Sequence, residues 1–404
     1  MSDLRVVVGG GAAGFFAAIR CAEKTGGNVL ILEKTAQFLG KVRISGGGRC
    51  NVTHACDDPG NLAGFYPRGG PALKGPFRLF GPADTLQWFE QRGVKLKTEP
   101  DGRMFPVTDH SETIIDCLMA AAREAGVEWR TNCGVDTVTV KPNGKFQLRL
   151  SRGESLICNR LMLATGGCRA PAAAALAISL GHHIEPPVPS LFTFRIAVPW
   201  LREISGIVVD PAEVSVASAR LRERGPVLIT HEGLSGPAIL RLSAWGARAM
   251  HDAAYRFPLK VNWVPGLDEP ELIHILESRR LKEPSRLVVN SSIPGLAQRL
   301  WERLVLAAGI RRETRWAALS RSHRHTLIRQ LMDTELPVTG KSLNAEEFVT
   351  CGGVSLGEVN FKTMESRICP SLFFGGELLD IDGLTGGFNF QAAWTTGWLA
   401  GTAM

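Results

Sequence analysis

Residues 4–14 constrain this chain more than any other stretch. The run Leu4-Arg5-Val6-Val7-Val8 has the β-branched richness of a buried strand, and it passes directly into Gly9-Gly10-Gly11-Ala12-Ala13-Gly14, which contains G-x-G-x-x-G. From Ala12 to Glu23, Phe15, Phe16, Ile19 and Ala22 recur at helical spacing, and Gly26-Gly27 marks the helix end. A second strand, Val29-Leu30-Ile31-Leu32, then closes on Glu33. Strand, glycine turn, helix, strand and acid in this order predict a βαβ unit opening a doubly wound α/β domain.

Each piece has a physical role. Gly9 allows the tight turn, Gly11 removes the Cβ that would hold the backbone away from a pyrophosphate, and Gly14 lets the helix pack close to the strand. The first helical turn, Ala12, Ala13 and Gly14, offers unpaired N–H groups and a partial positive charge to phosphates. Glu33, nineteen residues past Gly14 and followed by Lys34, falls where a carboxylate can accept hydrogen bonds from both hydroxyls of an adenosine ribose. A glycine-rich turn alone also occurs in ordinary βαβ units, whereas all five parts in register select a dinucleotide site.

At 404 residues the chain has room for two or three domains, and its 45% apolar and 21% charged residues are those of a globular protein. No stretch reaches the ~18 uninterrupted apolar residues of a membrane span, and Asp3 and Arg5 argue against a signal peptide. The expected location is the cytoplasm, with no membrane partner. Nine scattered cysteines without C-x-x-C pairs or zinc spacing predict free thiols, most of them buried, and no metal site. The net charge of +7 is localised: residues 271–330 hold twelve Lys/Arg and five Asp/Glu, leaving 34 against 34 elsewhere.

Along the chain, Ser45-Gly46-Gly47-Gly48-Arg49-Cys50-Asn51-Val52-Thr53-His54 reads as a loop able to approach a planar ligand, with polar donors immediately behind the glycines. Residues 82–92 and 111–124 are predicted helices, and 127–130, 135–140, 146–150 and 161–164 are predicted strands, the middle pair joined as a hairpin through Pro142-Asn143-Gly144. Short alternating strands at 193–197, 213–219 and 255–263 then suggest a small antiparallel sheet or barrel, with Thr230–Pro237 as a turn feeding a helix. Residues 271–332 are helical in period, 348–354 and 372–374 are strands again, and a last helix spans 389–400. Gly383–Gly387 precedes that helix, so its positive end, with Gly386, Gly387, Phe388 and Asn389, can face a ligand ring acquiring negative charge, and Glu377 or Asp380, just beyond the strand at 372–374, is positioned to accept hydrogen bonds from a ligand's hydroxyls.

These residues resemble a known family, the bacterial flavoproteins labelled NAD(P)/FAD-dependent or aminoacetone-oxidase-like oxidoreductases, which include a bile-acid-pathway member. The resemblance rests on GGGAAG at Gly9, SGGGRCNVT at Ser45, GRMFPVT at Gly102, ATGG at Ala164, THEGLSGPA at Thr230 and GGELLDIDGLTGGFNFQAAW at Gly375, in family order along almost the whole chain. It implies a Rossmann-like, glutathione-reductase-like FAD-binding domain interrupted by a β-barrel-like domain and a helical domain. The expected division is 1–190 for the first part of the FAD-binding domain, 191–270 for the barrel, 271–332 for the helices, 333–352 for a return through the barrel and 353–404 for the rest. By the same resemblance Glu33 holds the adenosine ribose, the Val135 backbone passes the adenine, Thr165 and Gly166 close the site, and Gly48, Arg49, Cys50 and Asn51 lie by the flavin ring.

The expectation is therefore an FAD-dependent oxidoreductase acting on a small organic molecule, with Arg49, Arg103 and His231 as substrate-side residues. No second strand–glycine–helix unit is present in the sequence: Gly46-Gly47-Gly48 is followed at the third place by Asn51, and Ala164-Thr165-Gly166-Gly167 has no third glycine. NAD(P)H, as an electron donor, would have to act without its own binding domain. Two other readings stand beside this one, a flavin-dependent nucleic-acid-modifying enzyme and a non-catalytic flavoprotein scaffold or sensor. The basic segment around Arg311, Arg312, Arg315, Arg321 and Arg324 suggests the former, but with Trp301 and Trp316 its only rings it lacks a stacking platform, which argues against a nucleic-acid partner. No motif specifies an oligomeric state.

Overall fold

The computed structural model describes residues 3–342 and 349–404. They fall into two compact units, Met1–Ser190 with Ala345–Met404, and Leu191–Asn344.

The first unit is built on β1 (Arg5–Val8), α1 (Ala12–Thr25) and β2 (Val29–Leu32). β1 is central, pairing in parallel with β2 on one side and with Arg160–Leu163 on the other, Val8 standing opposite both Leu32 and Leu163. Leu372–Phe374 and Glu128–Arg130 extend the parallel sheet outward, and two short antiparallel strands complete seven. Val6, Val7, Ile31, Leu161, Met162 and Phe374 are wholly buried, as a parallel sheet covered on both faces requires. On one face, α1 packs against the terminal helix, Phe388–Ala403. The approach is close because the contact is glycine: a Cβ on Gly397 would stand 2.6 Å from the Ala13 carbonyl oxygen, and one on Gly401 would collide with that of Ala17. The hairpin Val135–Val140 with Phe146–Leu150 gains a third strand, Ser155–Cys158, absent from the sequence reading because its alternation is short.

The second unit is a closed six-stranded antiparallel barrel, Thr193–Ile196, Gly233–Ser235, Leu221–Ile229, Val208–Val216, Phe257–Asn262 and Thr334–Ser342 in spatial order. The helices Glu269–Lys282, Gln298–Ala307 and Arg321–Met332 lie between its last two strands in sequence. Barrel and helices, expected as separate domains, share one core in which Phe194, Val214 and Leu259 join Leu272, Trp301, Leu304 and Leu327. The return also differs from the expected 333–352: Thr334–Ser342 belongs to the barrel, whereas Val349–Val354 pairs with Ile184–Ser190 in the first unit. Phe348, read as part of that strand, lies outside the described residues.

Among the described residues no helix is long and apolar enough to cross a membrane, no His/Cys/Asp/Glu group could hold a metal, and all nine cysteines are free.

Candidate functional site

β1 ends on Gly9, whose φ of 114° favours glycine. A Cβ there would run into the Ala164 carbonyl, and one on Gly14 into the Gly9 carbonyl. Gly11 differs: a Cβ on it would meet no protein atom within 4 Å, so it borders open space at the start of α1. The helix ladder begins with Phe15 N–H donating to the Gly11 carbonyl at 3.0 Å. The amides of Ala12, Ala13 and Gly14 therefore precede the ladder, at the positive end of the helix.

Glu33 stands at the rim of this cradle. One carboxylate oxygen accepts the Gly10 N–H at 2.8 Å, and the other accepts the Thr35 N–H and hydroxyl, each at 2.8 Å. Each oxygen has about two lone-pair sites, so these three bonds leave one, on the oxygen that accepts from Gly10, for a ribose hydroxyl. The Glu33 carbonyl accepts the Cys133 N–H at 2.8 Å, which brings Gly134 and Val135 alongside; a Cβ on Gly134 would stand 3.5 Å from that of Lys34. Thr165 uses its hydroxyl to donate to the Ala173 carbonyl at 2.8 Å, and Gly166 follows with φ 79°.

The second cluster joins two distant motifs. The helix Gly40–Gly48 breaks at Ser45, Gly46 and Gly47, whose backbone is non-helical, so the stretch expected as a loop begins as an irregular glycine kink. Cys50 follows, fully buried, its thiol pushed up to about 12 by burial, so it stays protonated and packs as a small hydrophobe. The Asn51 amide, oriented by its partners, accepts the Gly387 N–H at 3.0 Å and donates to the Thr53 carbonyl at 3.1 Å. Gly387 caps the terminal helix with φ 91°, and a Cβ there would meet the Thr53 backbone. Trp394 fastens the same joint through Nε1 to the Val52 carbonyl at 2.9 Å. The helix ladder begins with Gln391 N–H to the Gly387 carbonyl at 2.9 Å, leaving the amides of Phe388, Asn389 and Phe390 ahead of it. The Asn389 side chain is occupied within the turn, exchanging bonds of 2.8 and 2.9 Å with Gly383.

Several predicted side chains have partners that the sequence did not indicate. Glu377 is ion-paired with Lys41 and accepts the Thr350 N–H at 3.0 Å. Asp380 lies three residues on, its N–H donating to the Val354 carbonyl at 3.1 Å. Arg49 lies 4.0 Å above the Phe105 ring centroid, bonded to Glu99 at 2.7 Å, and Arg103 reaches Glu99 at 2.9 Å and Asp101 at 2.7 Å. Phe105 also approaches Gly46, so these two arginines are brought together beside the glycine kink. Glu99 and then Asp109 raise the affinity of Arg49 for its proton, so it remains cationic.

His231 lies exposed on the barrel unit, in a turn closed by the Thr230 hydroxyl, which accepts the Gly233 N–H at 3.1 Å. Sequence reasoning missed His54, which stacks on Phe388 at 4.7 Å, and the buried group Arg68, Asp382 and Ser190. His54 directly follows SGGGRCNVT and was within reach of that motif; nothing in sequence links Arg68 to Asp382.

The sheet, the cradle and the tethered acid define a Rossmann-type dinucleotide-binding protein, and open space at Gly11 with the receptive Glu33 fits such a ligand. The chain belongs to the family described as HI0933-like protein Rossmann domain, which matches residues 4–403, and it is a flavoprotein of the oxidoreductase class. It is 30% identical over 404 residues to the ribosomal RNA dihydrouridine synthase of Escherichia coli (strain K12), covering 97% of this chain and 96% of the relative. It is 28% identical over 406 residues to the 3-dehydro-bile acid delta(4,6)-reductase of Clostridium scindens, covering 98% of each. Among solved structures, the 3-ketosteroid-delta4-(5alpha)-dehydrogenase of Rhodococcus jostii RHA1 shares the fold at a TM-score of 0.52 and 15% identity, covering 99% of this chain and 96% of that one.

Proposed function

We propose that the chain binds FAD and transfers a hydride between the flavin and a carbon–carbon double bond conjugated to a carbonyl group. The observation that carries the cofactor is Glu33, tethered at the rim of an open glycine cradle, an arrangement suited to the adenosine half that FMN lacks. The substrate class rests on chemistry shared by the two relatives' names. The 5,6 bond of uracil and the 4,6 bonds of a 3-oxo steroid both lie in conjugation with a carbonyl.

When bound, the flavin supplies the redox chemistry, and a two-electron donor such as NAD(P)H must return it to the reduced form. The protein binds and orients. The first turn of α1 receives the pyrophosphate, Glu33 the ribose, and the Val135 backbone the adenine, with Lys34, Thr165 and Gly166 beside them. Glu377 and Asp380 are assigned to the ribityl chain, where Lys41 offsets the charge of Glu377. Gly48, Arg49, Cys50 and Asn51 with Gly386–Asn389 line the ring, and the terminal helix faces the edge that gains negative charge. Arg49 and Arg103 are the proposed substrate-side groups of this unit, two cations that would polarise the substrate's carbonyl oxygen, and the exposed His231 is the candidate substrate-side group of the barrel unit.

A uridine base in RNA is the second reading of the substrate. It is favoured over the initial expectation of no nucleic-acid partner by the E. coli relative and by the charge distribution: Leu191–Asn344 holds 22 Lys/Arg against 15 Asp/Glu, and the other unit 24 against 24.

Heat release and chromatography of the cofactor should yield FAD. Anaerobic mixing of the reduced protein with a 3-oxo-Δ4 steroid, with uridine and with a ribosomal RNA transcript should restore oxidised-flavin absorbance for at least one of them. Release of FMN, or no reoxidation by any unsaturated carbonyl compound, would overturn the reading.

A further inference from the structure

We propose that the helices of the barrel unit carry an RNA-binding face, in which Arg280, Lys282, Arg311, Arg321 and Arg329 contact the phosphodiester backbone. The proposal rests on the uridine reading above.

The starting point is which cations of residues 271–330 already have partners. Arg279 and Arg286 pair with Glu283, Arg303 with Glu203, Arg312 with Glu302 and Arg324 with Glu277. Arg299 and Arg315 donate to the carbonyls of Glu203 and Ser285. The remaining five, Arg280, Lys282, Arg311, Arg321 and Arg329, are exposed and have no carboxylate within 4.0 Å among the described residues. Five of the segment's twelve cations are thus side chains without a carboxylate partner.

The five belong to one region. The Glu269–Lys282 helix packs against both the Arg321–Met332 helix and the Trp316–Ala318 turn. Arg315 reaches Ser285 at 2.7 Å, which sets the basic turn beside the end carrying Arg280 and Lys282. Arg311, Arg315 and His323, with Thr314 and one acid, Glu313, line a surface depression of about 480 Å3. Along the Arg321–Met332 helix, Arg321, His325 and Arg329 recur every fourth residue and share its exposed side.

Fold stability accounts for only part of this placement. Basic residues in the last turn of a helix are favoured by its dipole, which explains Arg280 and Lys282. Arg321 has the opposite setting, first residue of a helix whose first turn holds no acid, where the dipole disfavours a cation. An external polyanion would reverse that sign. Of anionic surfaces, RNA fits better than lipid, because Leu327, Ile328 and Leu331 of this helix are buried in the core rather than offered to a bilayer. Backbone contact needs no aromatic platform, so the scarcity of rings here suits phosphate binding rather than base stacking.

The test uses the full-length holoprotein and fluorescence anisotropy with a labelled RNA stem-loop bearing loop uridines. Reversing all five charges, R280E/K282E/R311E/R321E/R329E, should weaken binding by at least about thirtyfold at about 50 mM salt and flatten the plot of log K against log salt by about 3. A control reversal on the other unit, K74E/R123E/R152E, should leave affinity within about twofold. Equal RNA binding by the five-site variant, equal loss in the control, or binding of the wild type to anionic phosphatidylserine vesicles but not to RNA would each overturn the proposal. Dihydrouridine formation, measured separately, distinguishes the two failures. Patch-dependent binding without reduction upholds this face while the uridine reading falls, and undiminished reduction of RNA by the variant overturns the face while that reading stands.

Discussion

Gly11 is the residue at which one added side chain interrogates the cradle. A Cβ there meets no protein atom within 4 Å, so G11V should leave the fold intact while its methyl groups occupy the space through which backbone reaches pyrophosphate. Flavin content, read as the ratio of visible to ultraviolet absorbance, should fall at least about tenfold with an unchanged circular-dichroism melt. Normal flavin retention would remove Gly11 from the site. His182 tests electrostatics at the same scale. It is buried against Phe374 with Nε2 on the Ser366 hydroxyl at 2.8 Å, and burial lowers its pKa below the ordinary 6.5, partly offset by Glu358. The unfolded chain then binds the extra proton first, so the neutral ring contributes stability that is full above about 6.5 and lost as pH falls toward the folded pKa. H182F should flatten the decline in thermal midpoint between about pH 7.5 and pH 5.5; an undiminished slope would place the titration elsewhere.

At the scale of elements, the terminal helix does two things at once: it buttresses α1 through Gly397 and Gly401, and it presents the amide end that Asn51 and Asn389 hold in place. The two roles are separable. G397V forces the helices apart and should cost about 1–3 kcal/mol in urea unfolding. N51L keeps approximate volume but removes the acceptor for the Gly387 N–H, so it should perturb the flavin absorbance bands and weaken retention. Its effect on the urea midpoint should be smaller than that of G397V. The reverse ranking would show that Asn51 serves stability rather than the ring site.

Across the whole molecule, one unit is neutral and carries the cradle, while the other carries the entire net charge of +7. Among the described residues only one strand–glycine–helix unit supplies a dinucleotide cradle, at β1. NADH and NADPH should therefore reduce the flavin slowly, with rates still rising linearly through the micromolar range in stopped-flow mixing. Rapid saturable bleaching at micromolar nucleotide would reveal a nicotinamide site elsewhere on the chain.

The β1–α1–β2 unit was legible because its signals are local: a β-branched run, a glycine turn at fixed spacing and an acid at the next strand's end all lie within the first 33 residues. Helical period likewise marked Ser111–Glu124, and strand period with the Pro142-Asn143-Gly144 turn marked the Val135–Val140 hairpin. Tertiary structure decided what depends on distant partners. It set Asn51 on the cap of the terminal helix, Lys41 against Glu377 and Asp382 between Arg68 and Ser190. It also merged barrel and helices into one core and gathered Arg49 and Arg103 on Phe105. The physical reason is range. Strand and helix propensities and glycine turns act over a few residues, whereas the pairing of buried polar groups and the sharing of apolar surface are determined only when segments far apart in sequence meet.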